Sequence, residues 1–562
     1  MPIRQVLQAR LMAALTQCGV EAGRVVIEHP ADITHGDYAT GAALQYAKQA
    51  GIAPRALAEK LVAALGDIDG VSKIDIAGPG FINFHLAPAA LAASIEEARK
   101  EDMPVLQSLG DGGWGANKNL AGKKILIEYT SPNLFKPLHI GNLVGNVIGE
   151  SLARLMQFSS ADVQRINYPS DIGLTVAKGV WGLTKAGGDP TDIAALGEAY
   201  RMGNDAYESD ATAKEEIETI NRKLYDGSDP ELNSLRKRGV ETSRTHLDVL
   251  CKKLGTTFDF ELYESEAAPV GHDIVLSHPD IFPESDGARV FHGSHTRVFL
   301  NSQGLPTYEA KDLGNFVLKQ EKYPEWDTYL VVTGVEQKEY FKVLYEAIGA
   351  VFPETKKKEL RHVANGFLTL TTGKMSSRLG NVLTGESLFA DLAESAKARA
   401  TESRADDAEL LAEQIGVAAI KYEVLKQGTG KNIVFDRERA LSLEGDSGPY
   451  LQYAHARANA ILEKAKESGV VGTVGTEAVP NEVARLLPRF PEVVERAMAE
   501  YEPHLVTTYL LELAGAFNSW YGREQILDGT PAAAHKVALT DAVRRTLKNG
   551  LWILGIPAPE KM

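Results

Sequence analysis

The sequence has few of the residues that cross-link a chain or anchor it in a membrane. Its two cysteines, Cys18 and Cys251, lie far apart in 562 residues, which excludes a disulfide framework and a zinc site built on paired cysteines. No apolar run approaches the roughly 18 residues of a membrane span, and the first residues lead into an amphipathic stretch rather than a signal-type apolar core. We therefore expect a cytoplasmic protein that has no membrane partner and no structural zinc.

The chain also has fewer basic than acidic residues. The chain has 60 Lys and Arg against 75 Asp and Glu, a formal net charge of −15. Domains that bind nucleic acid without specificity are usually strongly basic. The balance therefore argues against loose polyanion or DNA binding, and it leaves open a shaped contact with one RNA.

Three zones follow one another along the chain, at residues 1–105, 106–440 and 441–562. The first reads as a small α+β unit, and the second alternates strands with helices, with a polar helical insertion at about 185–255. The last contains helical periodicity only. The predicted fold class is a multidomain α/β protein with a Rossmann-type parallel-sheet catalytic domain, an N-terminal α+β domain and a C-terminal all-α bundle.

The segment from Glu128 to Asn142 (EYTSPNLFKPLHIGN) follows a buried-type strand and precedes a helix predicted from about Leu138. His139 and Gly141 fall at the start of that helix, where free N–H groups and the helix dipole attract an anion. Gly141 lets a nucleotide approach the backbone, and His139 can donate to phosphate oxygens. A capped helix with a surface histidine is the alternative.

A second segment, LTTGKMSSRLG at 370–380, lies between a strand-like run and a helix. Lys374 and Arg378 flank Ser376 and Ser377 in a loop bounded by glycines. Such a basic loop can close on a triphosphate and offset the charge that develops on pyrophosphate. A solvated basic loop is the alternative if the segment stands alone.

Together the two segments resemble the HIGH and KMSKS signatures of class I aminoacyl-tRNA synthetases, in the expected order. The run from Ser131 to His139 (SPNLFKPLH) is typical of arginyl-tRNA synthetases. Further stretches are similar to that family at 78–84, 167–173, 449–457 and 554–562. The resemblance thus covers essentially the whole chain.

The resemblance implies ligation of L-arginine to tRNA(Arg) through arginyl-adenylate, with release of AMP and pyrophosphate. It also implies ATP with Mg²⁺ as the substrate complex, and a monomer. Neither step needs a protein nucleophile, so catalysis should come from positioning and from stabilisation of charge on phosphate. By this resemblance the catalytic residues are Lys136, His139, Lys374 and Arg378, and the ATP contacts are His139, Gly141, Asn142, Lys374, Met375, Ser376 and Ser377.

A guanidinium is best held by carboxylates arranged around its planar fork. Glu264 continues the parity of an alternating strand (Phe258, Phe260, Leu262), and Tyr308 and Asp312 are four apart on one helix face. Without the family, each acid is most simply an exposed surface carboxylate. The resemblance implies an arginine site made of Glu128, Ser131, Asn133, Glu264, Tyr308, Asp312 and Gln337.

The C-terminal helices carry candidate anticodon contacts, and the N-terminal domain would touch the tRNA elbow by resemblance. Aromatic and arginine side chains can stack on splayed bases. Packing inside the bundle is the alternative for each aromatic residue. The candidates are Tyr453, Arg457, Trp520 and Tyr521.

Three positions depart from the family pattern. Asn142 replaces the second histidine of HIGH, Ser377 replaces the second lysine of KMSKS, and Thr175 stands where a glutamine is usual. By resemblance, Lys136 substitutes for the missing lysine. Two alternatives stay open: a class I synthetase for another amino acid, and a non-catalytic tRNA-binding paralogue, whose mark would be loss of His139, Gly141 or Lys374.

Overall fold

A computed structural model of the chain describes residues 3–100, 113–371, 384–401, 403–475 and 481–562. Within them a small antiparallel sheet, a large parallel sheet and a group of packed helices follow one another. This order agrees with the fold class that the sequence predicts.

The first 100 residues form an α+β unit. Its elements are α1 (Ile3–Gln17), β1 (Tyr38–Thr40), α2 (Ala42–Ala50), α3 (Pro54–Leu65), β2 (Val71–Ala77), β3 (Phe81–Leu86) and α4 (Pro88–Arg99). The strands are antiparallel in the order β1-β3-β2. The apolar residues of α1 and α3 are buried beneath them, because Leu7, Leu11, Leu57 and Leu61 recur at helical spacing.

The central part is built on a five-stranded sheet. Its elements up to residue 371 are β4 (Lys124–Glu128), α5 (Ile140–Phe158), β5 (Asp162–Asn167), α6 (Leu174–Ala186), α7 (Ile193–Ser209), α8 (Ala211–Asp226), α9 (Pro230–Lys253), β6 (Phe260–Glu261), α10 (Glu264–Ser277), β7 (Glu284–Ser285), β8 (Ala288–His292), β9 (Thr296–Leu300), α11 (Tyr308–Lys322), β10 (Thr328–Gly334), α12 (Lys338–Val351), β11 (Glu359–Asn365) and β12 (Leu368–Leu370). Strands β7, β8 and β9 make a separate antiparallel sheet.

Every strand pair in the large sheet is parallel, and the order is β11-β10-β4-β5-β6. Strand β4 lies in the middle and is buried from Ile125 to Glu128, as a continuous apolar run predicts for a parallel sheet covered on both faces. The strand order reverses beside β4, where open α/β sheets bind ligands at the carboxyl ends of their strands. Glu128 is the last residue of β4 and lies at this edge.

The rest of the described chain is almost entirely helical. Its elements are α13 (Gly385–Thr401), α14 (Ala408–Leu425), β13 (Ile433–Phe435), α15 (Arg437–Ala440), α16 (Gly448–Glu467), α17 (Glu482–Leu486), α18 (Arg489–Glu500), α19 (His504–Arg523) and α20 (Ala533–Ile553). From residue 441 onward, every regular element in the described ranges is a helix, as the sequence predicts.

Ion pairs and hydrogen bonds fasten the α+β unit to the C-terminal helices. Asp37 pairs with Arg485 of α17 at 2.6 Å, and the Tyr38 hydroxyl donates to Glu492 of α18 at 2.7 Å. Asp37 is buried, so the pair is shielded from solvent screening. The unit at the amino end is thereby docked on the helices at the carboxyl end.

Candidate active site

The turn between β4 and α5 is held in an unusual backbone conformation. Thr130 has φ of 76° and Ser131 has φ of 38°, values that side chains with a Cβ seldom adopt and that concentrate at functional sites. Two amides of α5 stabilise the turn: Asn142 Nδ2 donates to the Thr130 carbonyl at 2.8 Å, and Asn146 Nδ2 donates to Thr130 Oγ1 at 2.9 Å. Asn142, a predicted ATP contact, therefore uses its amide nitrogen to fix this turn.

His139 caps the amino end of α5, which begins at Ile140 rather than at the predicted Leu138. Its Nδ1 accepts the Gly141 N–H at 3.1 Å, so a neutral imidazole must carry its proton on Nε2. Partial burial, and then the Lys136 ammonium, lower the pKa of His139. At neutral pH the side chain is thus an uncharged Nε2–H donor at a helix amino end.

Lys136 lies three residues before His139 and is half-buried. Its Nζ lies 5.8 Å from the ring centroid of Tyr200 on α7, which holds the lysine against the helical insertion. Burial lowers the pKa of Lys136. Lys136 and His139 therefore place a cation and a neutral hydrogen-bond donor close together in this turn.

Three predicted carboxylates converge beside this turn. Burial first, and then the charges of Glu128 and Glu264, raise the pKa of Asp312 to about 7. Asp312 accepts a hydrogen bond from the Tyr340 hydroxyl at 2.5 Å. The three acids therefore share one electrostatic environment at the carboxyl edge of the sheet.

Two of these acids are paired with lysines that the sequence reasoning missed. Lys319 contacts Glu128, and Lys311 contacts Glu264 at 2.5 Å; all four residues are buried. Burial lowers the pKa of Lys319. Burial also acts to lower the pKa of Lys311, but Glu264, Tyr225 and Tyr308 together outweigh it and raise that pKa. The spacing of Asp312, Asn315 and Lys319 predicts one shared helix face, but no local pattern predicts that Lys311 or Lys319 is buried.

Several buried polar atoms around the acids have no hydrogen-bond partner among the described residues. They are the hydroxyls of Tyr168 and Tyr345 and the Asn315 Oδ1. The charges of Asp312 and Glu128 contribute to raising the pKa of both tyrosines, after burial, so these hydroxyls lie near the acids. A buried polar atom without a partner costs about 1–3 kcal/mol. The pocket therefore fits a polar ligand.

Glu264 lies on a different secondary-structure element from the predicted one. The strand β6 ends at Glu261, and Glu264 is the first residue of α10, not a continuation of the strand. Helix α10 starts here because Glu266 accepts the Tyr263 N–H at 2.9 Å and Asp171 accepts the Ser265 N–H at 2.9 Å.

Two glycines bring α10 and α11 close enough for Glu264 to meet Lys311. A Cβ at Gly271 would lie 1.7 Å from the Ala310 carbonyl oxygen, and one at Gly314 would lie 2.1 Å from the Ala267 carbonyl oxygen. These are backbone atoms that cannot move aside alone. The glycines are thus required for the close helix pair that builds this wall of the pocket.

The other predicted arginine contacts lie around the same edge. Tyr308 starts α11, is 61% exposed and stacks its ring 4.4 Å from Lys311 Nζ. Gln337 is half-buried in a short 3₁₀ turn after β10, and Asn133 pairs with Ser170 in a parallel bridge. Asn133 and Gln337 thus follow the carboxyl ends of β4 and β10, the same edge of the sheet at which Glu128 lies.

The predicted basic loop lies outside the described residues, so Lys374, Met375, Ser376, Ser377 and Arg378 have no described positions. The described chain resumes at Thr384, which pairs with His139 in an antiparallel bridge. The Gly385 N–H also donates to the Leu138 carbonyl at 2.9 Å. The chain that follows the loop thus begins at the amino end of α5.

The predicted RNA contacts divide into two groups. The Arg457 guanidinium lies 4.6 Å from the Tyr453 ring and 5.0 Å from the Tyr521 ring, which makes a partly exposed cluster. Trp520 instead is 7% exposed, packs edge-on against Phe517 and belongs to the core. A buried indole cannot offer its face to a base, so direct stacking by Trp520 is not supported and its packing alternative applies.

The described ranges contain no helix long and apolar enough to cross a membrane. In the same ranges, no group of three or more His, Cys, Asp or Glu side chains could hold a metal ion.

Comparison with known families matches successive parts of the chain. The description "Arginyl tRNA synthetase N terminal domain" matches residues 3–86, "tRNA synthetases class I (R), catalytic domain" matches 105–437, and "DALR anticodon binding domain" matches 451–562.

Individual proteins give the same result. The arginine–tRNA ligase of Borrelia hermsii is 32% identical over 479 residues, which cover 80% of this chain and 82% of its own. That of Limosilactobacillus reuteri is 30% identical over 574 residues and covers both chains fully. The solved structure of Thermus thermophilus arginyl-tRNA synthetase matches all of both chains with a TM-score of 0.81 at 26% identity. The predicted resemblance is confirmed, and the chain belongs to the arginyl-tRNA synthetase family, the class I arginine–tRNA ligases.

Proposed function

We propose that this arginine–tRNA ligase forms arginyl-adenylate at the carboxyl edge of the large sheet and transfers arginine to the terminal ribose of tRNA(Arg). The arginine carboxylate attacks the α-phosphate of ATP and releases pyrophosphate, and the ribose hydroxyl then displaces AMP. The observation that carries this proposal is the cluster of Glu128, Glu264 and Asp312, in which Glu128 ends the strand that the turn joins to the His139 helix end.

Arginine would enter with its guanidinium between Glu264 and Asp312, beside the ring of Tyr308. A planar fork suits carboxylates that approach from different helices. Asn133 and Gln337 would hold the α-amino end. Glu128 and Ser131 would lie near the reacting carboxylate of arginine. Glu128 ends β4, and Ser131 lies in the turn that leads to His139 and to the amino end of α5, where the phosphates of ATP would bind.

ATP would lie at the amino end of α5. The Nε2–H of His139 and the ammonium of Lys136 would stabilise phosphate oxygens, and Gly141 would leave room for the nucleotide. We propose Asn142 as a contact through the turn that it holds. Mg²⁺ would arrive bound to the phosphates of ATP, because it prefers oxygen ligands and keeps several waters.

The basic loop would complete the ATP site. We propose that Lys374 and Arg378 offset charge on pyrophosphate, with Met375, Ser376 and Ser377 as further contacts. The bridge from Thr384 to His139 supports this, because it tethers the chain next to the helix end where the phosphates would lie.

The domain roles are proposed as residues 1–105 for the tRNA elbow, 106–440 for catalysis with the insertion at 185–255, and 441–562 for the anticodon. Tyr453, Arg457 and Tyr521 would stack on anticodon bases, with Trp520 supporting them from the core. We further propose a cytoplasmic monomer whose partners are tRNA(Arg), arginine and ATP, and which uses neither DNA nor a membrane.

The test is ATP–pyrophosphate exchange against each standard amino acid, with and without total tRNA. Exchange with arginine that requires tRNA is the expected result, because the family generally needs bound tRNA for the first step. A signal with another amino acid would keep the fold and reject the arginine pocket. If a folded sample that still binds tRNA shows no exchange with any amino acid, a non-catalytic tRNA-binding role would be favoured.

A further inference from the structure

Glu128 and Lys319 form an ion pair enclosed between the sheet and α11. The side chain of Lys319 is 1% exposed and that of Glu128 is 6% exposed. Lys319 Nζ also donates to the Tyr329 hydroxyl on β10 at 2.8 Å. A buried ion pair is rarely more stable than a well-packed apolar pair of the same volume. Stability alone therefore does not account for these two charges.

The donors around Glu128 are distributed unevenly between its two oxygens. Lys319 Nζ, Asn315 Nδ2 at 3.1 Å and the Tyr329 hydroxyl at 3.3 Å all reach Oε2. The other oxygen, Oε1, has the Ser131 hydroxyl 3.5 Å away, which is a long contact. The carboxylate is thus held by one oxygen, and the other is directed at the turn that precedes His139.

We propose that Lys319 is a positioning residue, which holds Glu128 by Oε2 and orients it so that Oε1 can accept a hydrogen bond from the α-ammonium group of arginine. The inference rests on the proposed arginine site. It adds a charge balance, since Glu128, Glu264 and Asp312 against Lys311 and Lys319 leave one negative charge when all are ionised. Arginine, with two positive charges and one negative, supplies the matching positive charge.

The first test compares Lys319→Met with Lys319→Arg and with the control Lys322→Met, which removes an exposed lysine from the same helix. In tRNA charging, Lys319→Met should raise the KM for arginine about 100-fold, the scale of losing one partner of a buried charge pair. The KM for ATP should stay within about twofold. Lys319→Arg should recover most of the loss, and Lys322→Met should match wild type.

A pH profile separates positioning from a general loss of structure. Asp312 is faced by Glu128 of β4, Tyr168 after β5, Glu264 of α10, Tyr308 and Lys319 of its own helix, Tyr329 of β10, and Tyr340 and Tyr345 of α12. The Lys319 charge lowers the pKa of Asp312. Lys319→Met should therefore move the midpoint of kcat/KM for arginine to higher pH, and Lys319→Arg should restore it.

If Lys319→Met does not fold, the proposal is tested by comparing the KM for arginine of Glu128→Gln with that of the double variant Glu128→Gln/Lys319→Met. The double variant removes both charges of the pair, so neither is left buried without the other. A residue that acts through Glu128 should add little loss once Glu128 is neutral, so the two should differ less than about threefold. The proposal would be overturned if the effects of the two substitutions multiplied in the double variant. It would also be overturned if Lys319→Met raised the KM for ATP as much as the KM for arginine, or if it left the midpoint of the pH profile unchanged. Wild type that fails to charge arginine in the same assay would instead reject the proposed function.

Discussion

If Asp312 holds the guanidinium as proposed, its carboxyl group should make arginine binding dependent on pH in the neutral range. Burial first, and then Glu128 and Glu264, raise the pKa of Asp312 to about 7, against the opposing effects of Tyr340 and Lys319. A guanidinium needs the ionised form, so protonation competes with arginine. Affinity should therefore be full above about pH 8 and should fall as the pH drops through 7.

The size of the effect follows from this pKa. If bound arginine keeps Asp312 ionised, the Kd should rise about tenfold for each pH unit below 7. Between pH 8 and pH 5.5 this amounts to roughly 30-fold, or about 2 kcal/mol of binding free energy. Isothermal titration calorimetry with arginine over this range measures it directly, with ATP titrated at each pH as the reference ligand.

Asp312→Asn is the matched variant, because it keeps the shape of the side chain and removes the titrating charge. It should bind arginine far more weakly than wild type and without this pH dependence, and it should bind ATP nearly as well. A Kd for arginine that stays constant from pH 5.5 to 8 in wild type would refute the role of Asp312. Equal losses for arginine and ATP in the variant would refute the pocket itself.

Three further substitutions test other parts of the site. His139→Asn keeps an N-cap acceptor but loses the Nε2–H donor, so kcat of ATP–pyrophosphate exchange should fall about 100- to 1,000-fold while arginine affinity, by calorimetry, is retained. Gly314→Ala places a Cβ 2.1 Å from the Ala267 carbonyl oxygen, so urea denaturation should show a loss of about 1–3 kcal/mol, and the KM for arginine should rise. Tyr521→Ala should raise the KM for tRNA about tenfold in charging assays and leave the KM for arginine unchanged.

The parts of the site that local sequence patterns predicted are those that depend on near neighbours in the chain. The strand, turn and helix around His139 follow from a buried apolar run, a Pro-Asn turn and a cap within 20 residues. Helical spacing predicts that Tyr308 and Asp312 share one face of a helix, whereas only the family resemblance assigns Asp312 to the arginine site. The prediction that Glu264 continues a strand is wrong, because parity along a strand does not reveal that β6 ends at Glu261 and that a capping box starts α10 at Glu264.

The parts that the sequence did not predict depend on contacts between distant segments. A lysine on an amphipathic helix is usually exposed, so Lys311 and Lys319 gave no reason to expect burial. Their burial follows only from the close packing of α10, α11 and the sheet, which depends on glycines far apart in sequence. For Trp520 the sequence leaves two interpretations, base stacking and packing inside the bundle, and the assembled helices bury it in the core.

In the proposed arginine site, the two lysines would also account for a pocket that holds three acids and still takes up a cation. An isolated carboxylate in a buried site gains a proton, as Asp312 begins to do near neutral pH. Glu128 and Glu264 differ from Asp312 in that each has a positive partner, Lys319 and Lys311 respectively. In the part of the chain that the structure describes, Asp312 has the Tyr340 hydroxyl as its donor and no lysine or arginine within ion-pair distance. The substrate guanidinium would then be the third cation of the proposed site, and a neutral analogue of the same shape would leave Asp312 either charged and unpaired or protonated, each of which disfavours binding.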